Sequence, residues 1–392
     1  MTEPVRRSTG RKCVYWGILI LLLVLFIEAA SLGALLIMRT RVPWLVYSPT
    51  WRFDEDVFNE YRRIRDPVLG WPSRESFGSG VYDLSGARPN PSFPNPGGEC
   101  VSIYGDSFAY GADVGHEHAW SHVLSRSLGC RVANFGVGGY GTDQAFLRFR
   151  DNRADQAPVT ILGYFVNDIS RNVNQFRQLI TGRARHFRKG PGLKPRFVLQ
   201  DGNLEFSALP DMSFADYTRL VDDPGAYLKH EFYLPGSRYG AVYMKAPFAR
   251  AVGSLLINKS LWARLGQGGR YSDFFEPNHD SNALEVTVEI IDVFMQQCRV
   301  RTKQCFVVII PSKATFEQFG KTRTLANQPL LSHLDERGIG YLHLAPGLSN
   351  LLDKREFASI ESAGGGHFNT EGYGMMASLI YEYIQSRSLI QQ

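Results

Sequence analysis

Five short apolar runs, VSIY (101–104), RVANF (131–135), VTILGYF (159–165), FVVIIP (306–311) and GYLHL (340–344), set the strongest limit on what this chain can fold into. Each is rich in β-branched and aromatic side chains, the pattern of a strand covered on both faces. Helical periods separate them. The clearest lies over 282–298, where Leu284, Val288, Ile291, Met295 and Cys298 form one apolar stripe. Such alternation predicts a doubly wound, mostly parallel α/β sheet of five strands. The gap between the third and fourth runs is too long for one crossover. Residues 172–280 are therefore read as an insertion, with a hairpin over 196–206 turning on Asp201-Gly202.

One segment is not globular. Val14 to Met38 holds a single charged residue, Glu28, and a spanning helix needs about 20 apolar residues. The run outlasts the apolar core of a cleaved signal, roughly 7–15 residues. Residues 13–38 are read as a transmembrane helix, with cleavage after Ala29-Ala30 as the alternative. Arg6, Arg7, Arg11 and Lys12 precede the span and only Arg39 and Arg41 follow it closely. That bias predicts a cytoplasmic tail (1–12) and a single pass through the inner (plasma) membrane, with the remainder periplasmic or extracellular. Trp44, Tyr47, Trp51 and Phe53 are expected at the outer interface, where amphipathic rings settle. Glu28 is expected to be protonated, to snorkel, or to pair with a helix of a partner membrane protein. Residues 39–97, rich in turns and aromatics, are read as a juxtamembrane lead-in packed on the domain, and 98–392 as the α/β domain.

Of 43 basic and 38 acidic residues, six and two fall within residues 1–41, leaving 37 and 36 for the rest. The basicity belongs to the anchor, and no nucleic-acid footprint follows from it. A local basic run, Arg177, Arg183, Arg185, Arg188, Lys189, Lys194 and Arg196, is read as a solvated loop, with a grip on an acidic polymer or lipid head groups as the alternative. Beyond Cys13, four cysteines lie in the oxidising compartment. Cys298 ends a helical pattern and Cys305 opens a strand, while Cys100 and Cys130 begin strands that would be neighbours. Disulfides Cys298–Cys305 and Cys100–Cys130 are expected. His116-Glu117-His118 lacks a third ligand at fitting spacing and is read as a loop, so neither metal nor cofactor is expected.

In an open parallel sheet, ligands bind at the carboxyl ends of the strands. There the first run delivers Gly105-Asp106-Ser107 and the second a glycine-dense turn, Asn134 to Gly141. The third delivers Asn167-Asp168. After the fifth comes Gly364-Gly365-Gly366-His367-Phe368-Asn369. A hydroxyl, an imidazole and backbone N–H donors are what acyl transfer requires.

With these blocks the sequence resembles the SGNH (GDSL-type) hydrolase superfamily, as a membrane-anchored bacterial member, over roughly residues 60–392. Gly105-Asp106-Ser107 matches the first block, Gly139 the second, Asn167 the third and His367 the fifth. The resemblance implies a flavodoxin-like three-layer α/β/α sandwich in which Ser107 attacks an ester and His367 is the general base. It implies an oxyanion hole from the Ser107 N–H, the Gly139 N–H and the Asn167 side-chain amide. Two departures matter. The third block lacks the family's glycine, reading Tyr164-Phe165-Val166-Asn167-Asp168, and the Asp expected three residues before the histidine is Gly364. Something must hold His367: a backbone carbonyl, Glu361, or a carboxylate from elsewhere. Glu361 is carried forward as the candidate.

These features lead to an outward-facing, membrane-anchored serine esterase removing acyl groups, O-acetyl first among them, from a saccharide. An O-acyltransferase using the same acyl-enzyme is the second reading. The third is a non-catalytic glycan-binding or assembly module, motivated by the missing Asp and the large insertion.

Overall fold

The computed structural model describes residues 9–49, 52–182, 190–266, 271–353 and 355–390. In chain order the strands are β1 (Val46–Tyr47), β2 (Glu99–Gly105), β3 (Arg131–Asn134), β4 (Val159–Phe165), β5 (Arg196–Gln200), β6 (Asn203–Ser207), β7 (Val242–Tyr243), β8 (Gln304–Ile310) and β9 (Tyr341–His343). Each of the five apolar runs supplies one strand of a single sheet, ordered β3-β2-β4-β8-β9 with every pairing parallel. Renumbered within the sheet this is 2-1-3-4-5, the flavodoxin-like order.

Val101, Ile103, Val159, Ile161, Leu162 and Val307 to Ile310 are fully buried, as strands covered on both faces require. Helices Thr142–Asp151 and Ala283–Val300 pack together over one face, and Trp120–Leu128 and Thr370–Ser386 over the other. The result is a three-layer sandwich. The expected stripe lies inside the Ala283–Val300 helix, whose Leu284, Val288, Ile291, Met295 and Cys298 are all buried.

Cys100 is bonded to Cys130 and Cys298 to Cys305, while Cys13 is free and exposed. By loop closure each bond contributes about 2–4 kcal/mol. Titrating the denatured, unreduced protein should find one thiol, with the other four appearing on reduction; more than one before reduction would contradict the pairing.

The lead-in lies against both the domain and the insertion. β1 pairs with β7 in parallel, Val46 opposite Val242. Phe58 stacks on Tyr217 at 4.6 Å, and the Gln144 side chain donates to the Leu69 carbonyl at 2.8 Å. Tyr47, expected at the membrane interface, is instead buried in the main core, its hydroxyl donating to Val221 O at 2.7 Å. Trp44 is half-buried with the Arg264 guanidinium 4.0 Å over its ring, and Trp51 lies outside the described residues. Within the insertion, β5 and β6 form the expected hairpin. Asp201 (φ 50°) and Gly202 (φ 79°) are both left-handed, as the tight two-residue turn demands.

The basic run is neither a solvated loop nor an acidic-polymer grip where it is described. Lys194 is fully buried, paired with Asp143 and donating to Pro195 O at 2.9 Å; Arg196 is buried and donates to Val173 O at 2.8 Å. Arg177 is buried as well. Arg183, Arg185, Arg188 and Lys189 lie outside the described residues. Internal carbonyls and a carboxylate take up the charges of Lys194 and Arg196, which a charge count alone does not reveal.

His343 ends β9 and caps the helix Leu344–Leu352. Its Nδ1 accepts the Ala345 N–H at 3.2 Å, so the ring is neutral there, and burial lowers its pKa from 6.5 to about 4. Below pH about 6.5 the unfolded chain binds a proton that the folded chain refuses. Stability should therefore fall as pH drops from about 6.5 to about 4, by about 3 kcal/mol in total. His343→Asn keeps a capping acceptor and should lose this part of the acid dependence. Equal urea midpoints for wild type at pH 7 and pH 5, after both proteins show the same baseline, would contradict the assignment.

Candidate active site

The nucleophile turn is built by close packing at the end of β2. A Cβ on Gly105 would meet the Gly163 carbonyl oxygen at 2.4 Å, and one on Gly163 would meet Ala109 Cβ at 2.9 Å. Only two facing glycines let the short helix Ser107–Tyr110 sit this tightly on the strand ends. Asp106 caps that helix: its Oδ1 accepts the Phe108 and Ala109 N–H groups at 2.8 and 3.3 Å. Its Oδ2 accepts from Arg171 Nη1 at 2.8 Å, and the same nitrogen donates to Asp168 Oδ1 at 2.6 Å and Tyr140 O at 2.9 Å. Burial works against the charge of Arg171, but Asp168 and Asp106 more than offset it and hold its pKa above the usual value. One fixed cation thus ties the ends of β2 and β4 to the glycine-dense turn after β3.

Ser107 comes 260 residues before His367, and the sheet edge brings them together. His367 Nε2 lies 2.8 Å from Ser107 Oγ. The histidine sits in a closed loop in which Ser362 N–H donates to His367 O at 2.9 Å and Asn369 N–H to Ile360 O at 2.8 Å. Asn369 then caps the Thr370–Ser386 helix through the Gly372 N–H. The imidazole lies against Phe108 (5.0 Å between centroids), which stacks on Phe165 at 4.3 Å. Ser107 is only 8% exposed.

The group on the other imidazole nitrogen is Asp113. Nδ1–H donates to Asp113 Oδ2 at 2.8 Å, and Ser362 Oγ donates to the same oxygen at 3.0 Å. Glu361, the candidate from sequence, is turned away: its Oε2 accepts from Lys313 Nζ at 2.9 Å. The reason is local. Glu361 forms an antiparallel bridge with Phe368, directing its side chain to a different helix from the one that carries Ser107. Gly364 lies at the exposed tip of the loop, where an added Cβ would meet nothing within 4 Å.

Asp113 is delivered by the nucleophile turn itself. Gly111 (φ 78°) ends the short helix, Ala112 N–H donates back to Ser107 O at 2.9 Å, and Asp113 adopts φ 68°. Asp is among the few non-glycine residues that take this conformation readily. The sequence leaves room for a carboxylate from elsewhere but does not single out Asp113, because the named candidate, Glu361, was sought near the histidine. The available signal was a glycine stop, Gly111, with an Asp two residues beyond it and six beyond the serine.

Gly139 and Asn167 belong to the turns that follow β3 and β4, at the same carboxyl edge of the sheet as Ser107. Asn167 follows β4 and is half-buried; Gly139, with φ 83°, is half-buried in the turn after β3. Among the described residues, the Ser107 N–H, the Gly139 N–H and the Asn167 amide form no hydrogen bond. Donors left free at a strand edge are the kind of group that stabilises a tetrahedral oxyanion where they face it.

No family model matches the chain, and no curated protein matches it. Among solved structures it is similar to a putative lipolytic protein of the G-D-S-L family from Desulfitobacterium hafniense: 12% identity, 72% of this chain, 97% of the other, TM-score 0.35. A member of the same lipolytic family from Veillonella parvula gives 12%, 73%, 97% and 0.35. A catalytic mutant of an acetylxylan esterase from Geobacillus stearothermophilus gives 11%, 74%, 95% and 0.36. Strand order and site geometry define the chain's class independently of these likenesses. It is a doubly wound α/β protein with serine, histidine and aspartate in hydrogen-bonded sequence at the carboxyl edge of its sheet.

Proposed function

We propose that the protein is a membrane-anchored serine esterase that removes small acyl groups, O-acetyl foremost, from a saccharide on the outer side of the membrane. The observation that carries this is the continuous line from Ser107 Oγ through His367 to Asp113, each link 2.8 Å long. His367 Nε2 takes the Ser107 proton as Oγ bonds to the ester carbonyl carbon. The resulting oxyanion is met by the Ser107 and Gly139 N–H groups and the Asn167 amide. His367 then returns the proton to the departing sugar oxygen, leaving an acyl-serine. Water, deprotonated by the same nitrogen, releases the acid. Phe108 lies against the imidazole and is backed in turn by Phe165. Asp113 fills the role that Gly364 leaves open, and with it goes the main motive for a non-catalytic module.

Among the described residues one helix, Lys12–Arg41, is long and apolar enough to cross a membrane, which supports the anchor. The test is product analysis with acetylated xylo-oligosaccharide and with p-nitrophenyl acetate plus a glycan acceptor. Free acetate released in proportion to lost ester is expected. Acetyl recovered on the acceptor would convert the reading to transferase, and no loss of ester from either substrate would overturn it.

A further inference from the structure

The Glu28 carboxylate does not look for a partner protein. Its Oε2 accepts the Phe248 N–H at 2.6 Å and its Oε1 the Ala249 N–H at 3.1 Å. These are the first N–H groups of the helix Phe248–Ile257, in the insertion. The anchor helix is exposed all round from Lys12 to Ile27, and from there Glu28, Ser31, Leu35 and Met38 form one covered face.

The covering chain follows a definite path. Met244 lies beside Arg39, its Sδ 3.9 Å from Nη1. Four residues later the chain is at Glu28, eleven positions back along the anchor, the long Arg39 side chain spanning part of the difference. It then continues as the helix, whose Ala251 and Leu255 pack in one cluster with Leu35, Leu45, Val46 and Leu261. A hydrocarbon layer needs about 20 residues of helix, so a span that ends with the apolar run at Met38 holds Glu28 well inside its outer edge. An apolar helix of ten residues is too short to cross and fits a re-entrant element.

We propose that Met244–Ile257 is a re-entrant element seated in the outer leaflet beside the anchor helix, its outward face covered by phospholipid acyl chains. This rests on the reading of the anchor as a span. Two further observations favour lipid as the occupant. First, helix N-termini carry unpaired N–H groups, which water cannot satisfy in hydrocarbon. Glu28 satisfies two of them, which explains an acid in an otherwise apolar run. Second, the helix leaves large apolar side chains uncovered: Leu256 is 64% and Ile257 81% exposed, with Trp262 and Leu265 following, while Arg250 and Ser254 are its exposed polar residues. The nearby cations have the reach to leave the layer. Lys245 Nζ turns back over the Tyr243 ring at 4.7 Å, and the long stem of exposed Arg250 lets its guanidinium snorkel to head-group phosphates.

The test uses the full chain with Cys13→Ser, in phosphatidylethanolamine–phosphatidylglycerol nanodiscs open to solvent on both faces, and a charged maleimide. Single cysteines are placed at Ile257, at Leu256, at Leu22 in the span and at Leu84, an exposed leucine of the lead-in. Maleimide reacts with the thiolate, which does not form in hydrocarbon, so Ile257→Cys and Leu256→Cys should react at least about tenfold more slowly than Leu84→Cys, as Leu22→Cys does. Adding Glu28→Ala should raise the Ile257→Cys rate several-fold. Ile257→Cys and Leu256→Cys reacting as fast as Leu84→Cys, with Leu22→Cys protected, would overturn the re-entrant element and leave the anchor. Leu22→Cys reacting as fast as Leu84→Cys would overturn both. Neither readout depends on ester hydrolysis.

Discussion

Ser107→Ala is expected to lower kcat on p-nitrophenyl acetate by at least about 10⁴-fold with KM little changed. The variant keeps the fold: the residue is small, nearly buried, and Asp106 rather than Ser107 caps the short helix. It removes only the atom that forms the covalent bond. What remains are His367 and the donors proposed for the oxyanion, which can at best assist direct attack by water. His367→Ala on top of Ser107→Ala should add almost nothing, because residues acting as one unit are not additive. A residual rate within tenfold of wild type would mean that the ester is cleaved elsewhere on the molecule.

The second large effect is at Asp113. Asparagine also tolerates the left-handed backbone found there (φ 68°), so Asp113→Asn isolates the charge and the tautomer it enforces. In a serine protease the equivalent change costs about 10⁴ in turnover. The Asp113 side chain is 43% exposed, and solvent screening weakens its hold on the imidazolium, so about 10²–10³ is the expected loss. Glu361→Gln should stay within about threefold of wild type, since it breaks only a partly exposed pair with Lys313. The opposite ranking of these two variants would return the role to Glu361. Ser362→Ala, which removes a 3.0 Å donor to Asp113, should give a smaller loss in the same direction.

Several parts of this picture are readable in the chain itself. The five apolar runs are strands because their residues must be buried on both faces. Once five such strands alternate with helices, the carboxyl edge is the place to look for chemistry, and Ser107 and His367 meet there. Asp113 was hidden because its role depends on a left-handed turn, not on spacing to the histidine. Glu28 could be recognised as unusual in an apolar helix, but its partners are backbone N–H groups 220 residues away, which leave no mark in composition. The basic residues Lys194 and Arg196 misled for a similar reason: a run of charges looks solvated until tertiary packing supplies Asp143 and the carbonyls that bury it. Tyr47 likewise reads as an interfacial ring, yet strand pairing between β1 and β7 draws it into the core.

The most direct measurement is mass spectrometry of the protein after reaction with a fluorophosphonate. One phosphonyl group on the peptide carrying Ser107, absent when His367 is replaced by alanine, is the predicted result. An unmodified Ser107, or an adduct that forms equally well without His367, would contradict the assignment of this serine as the nucleophile.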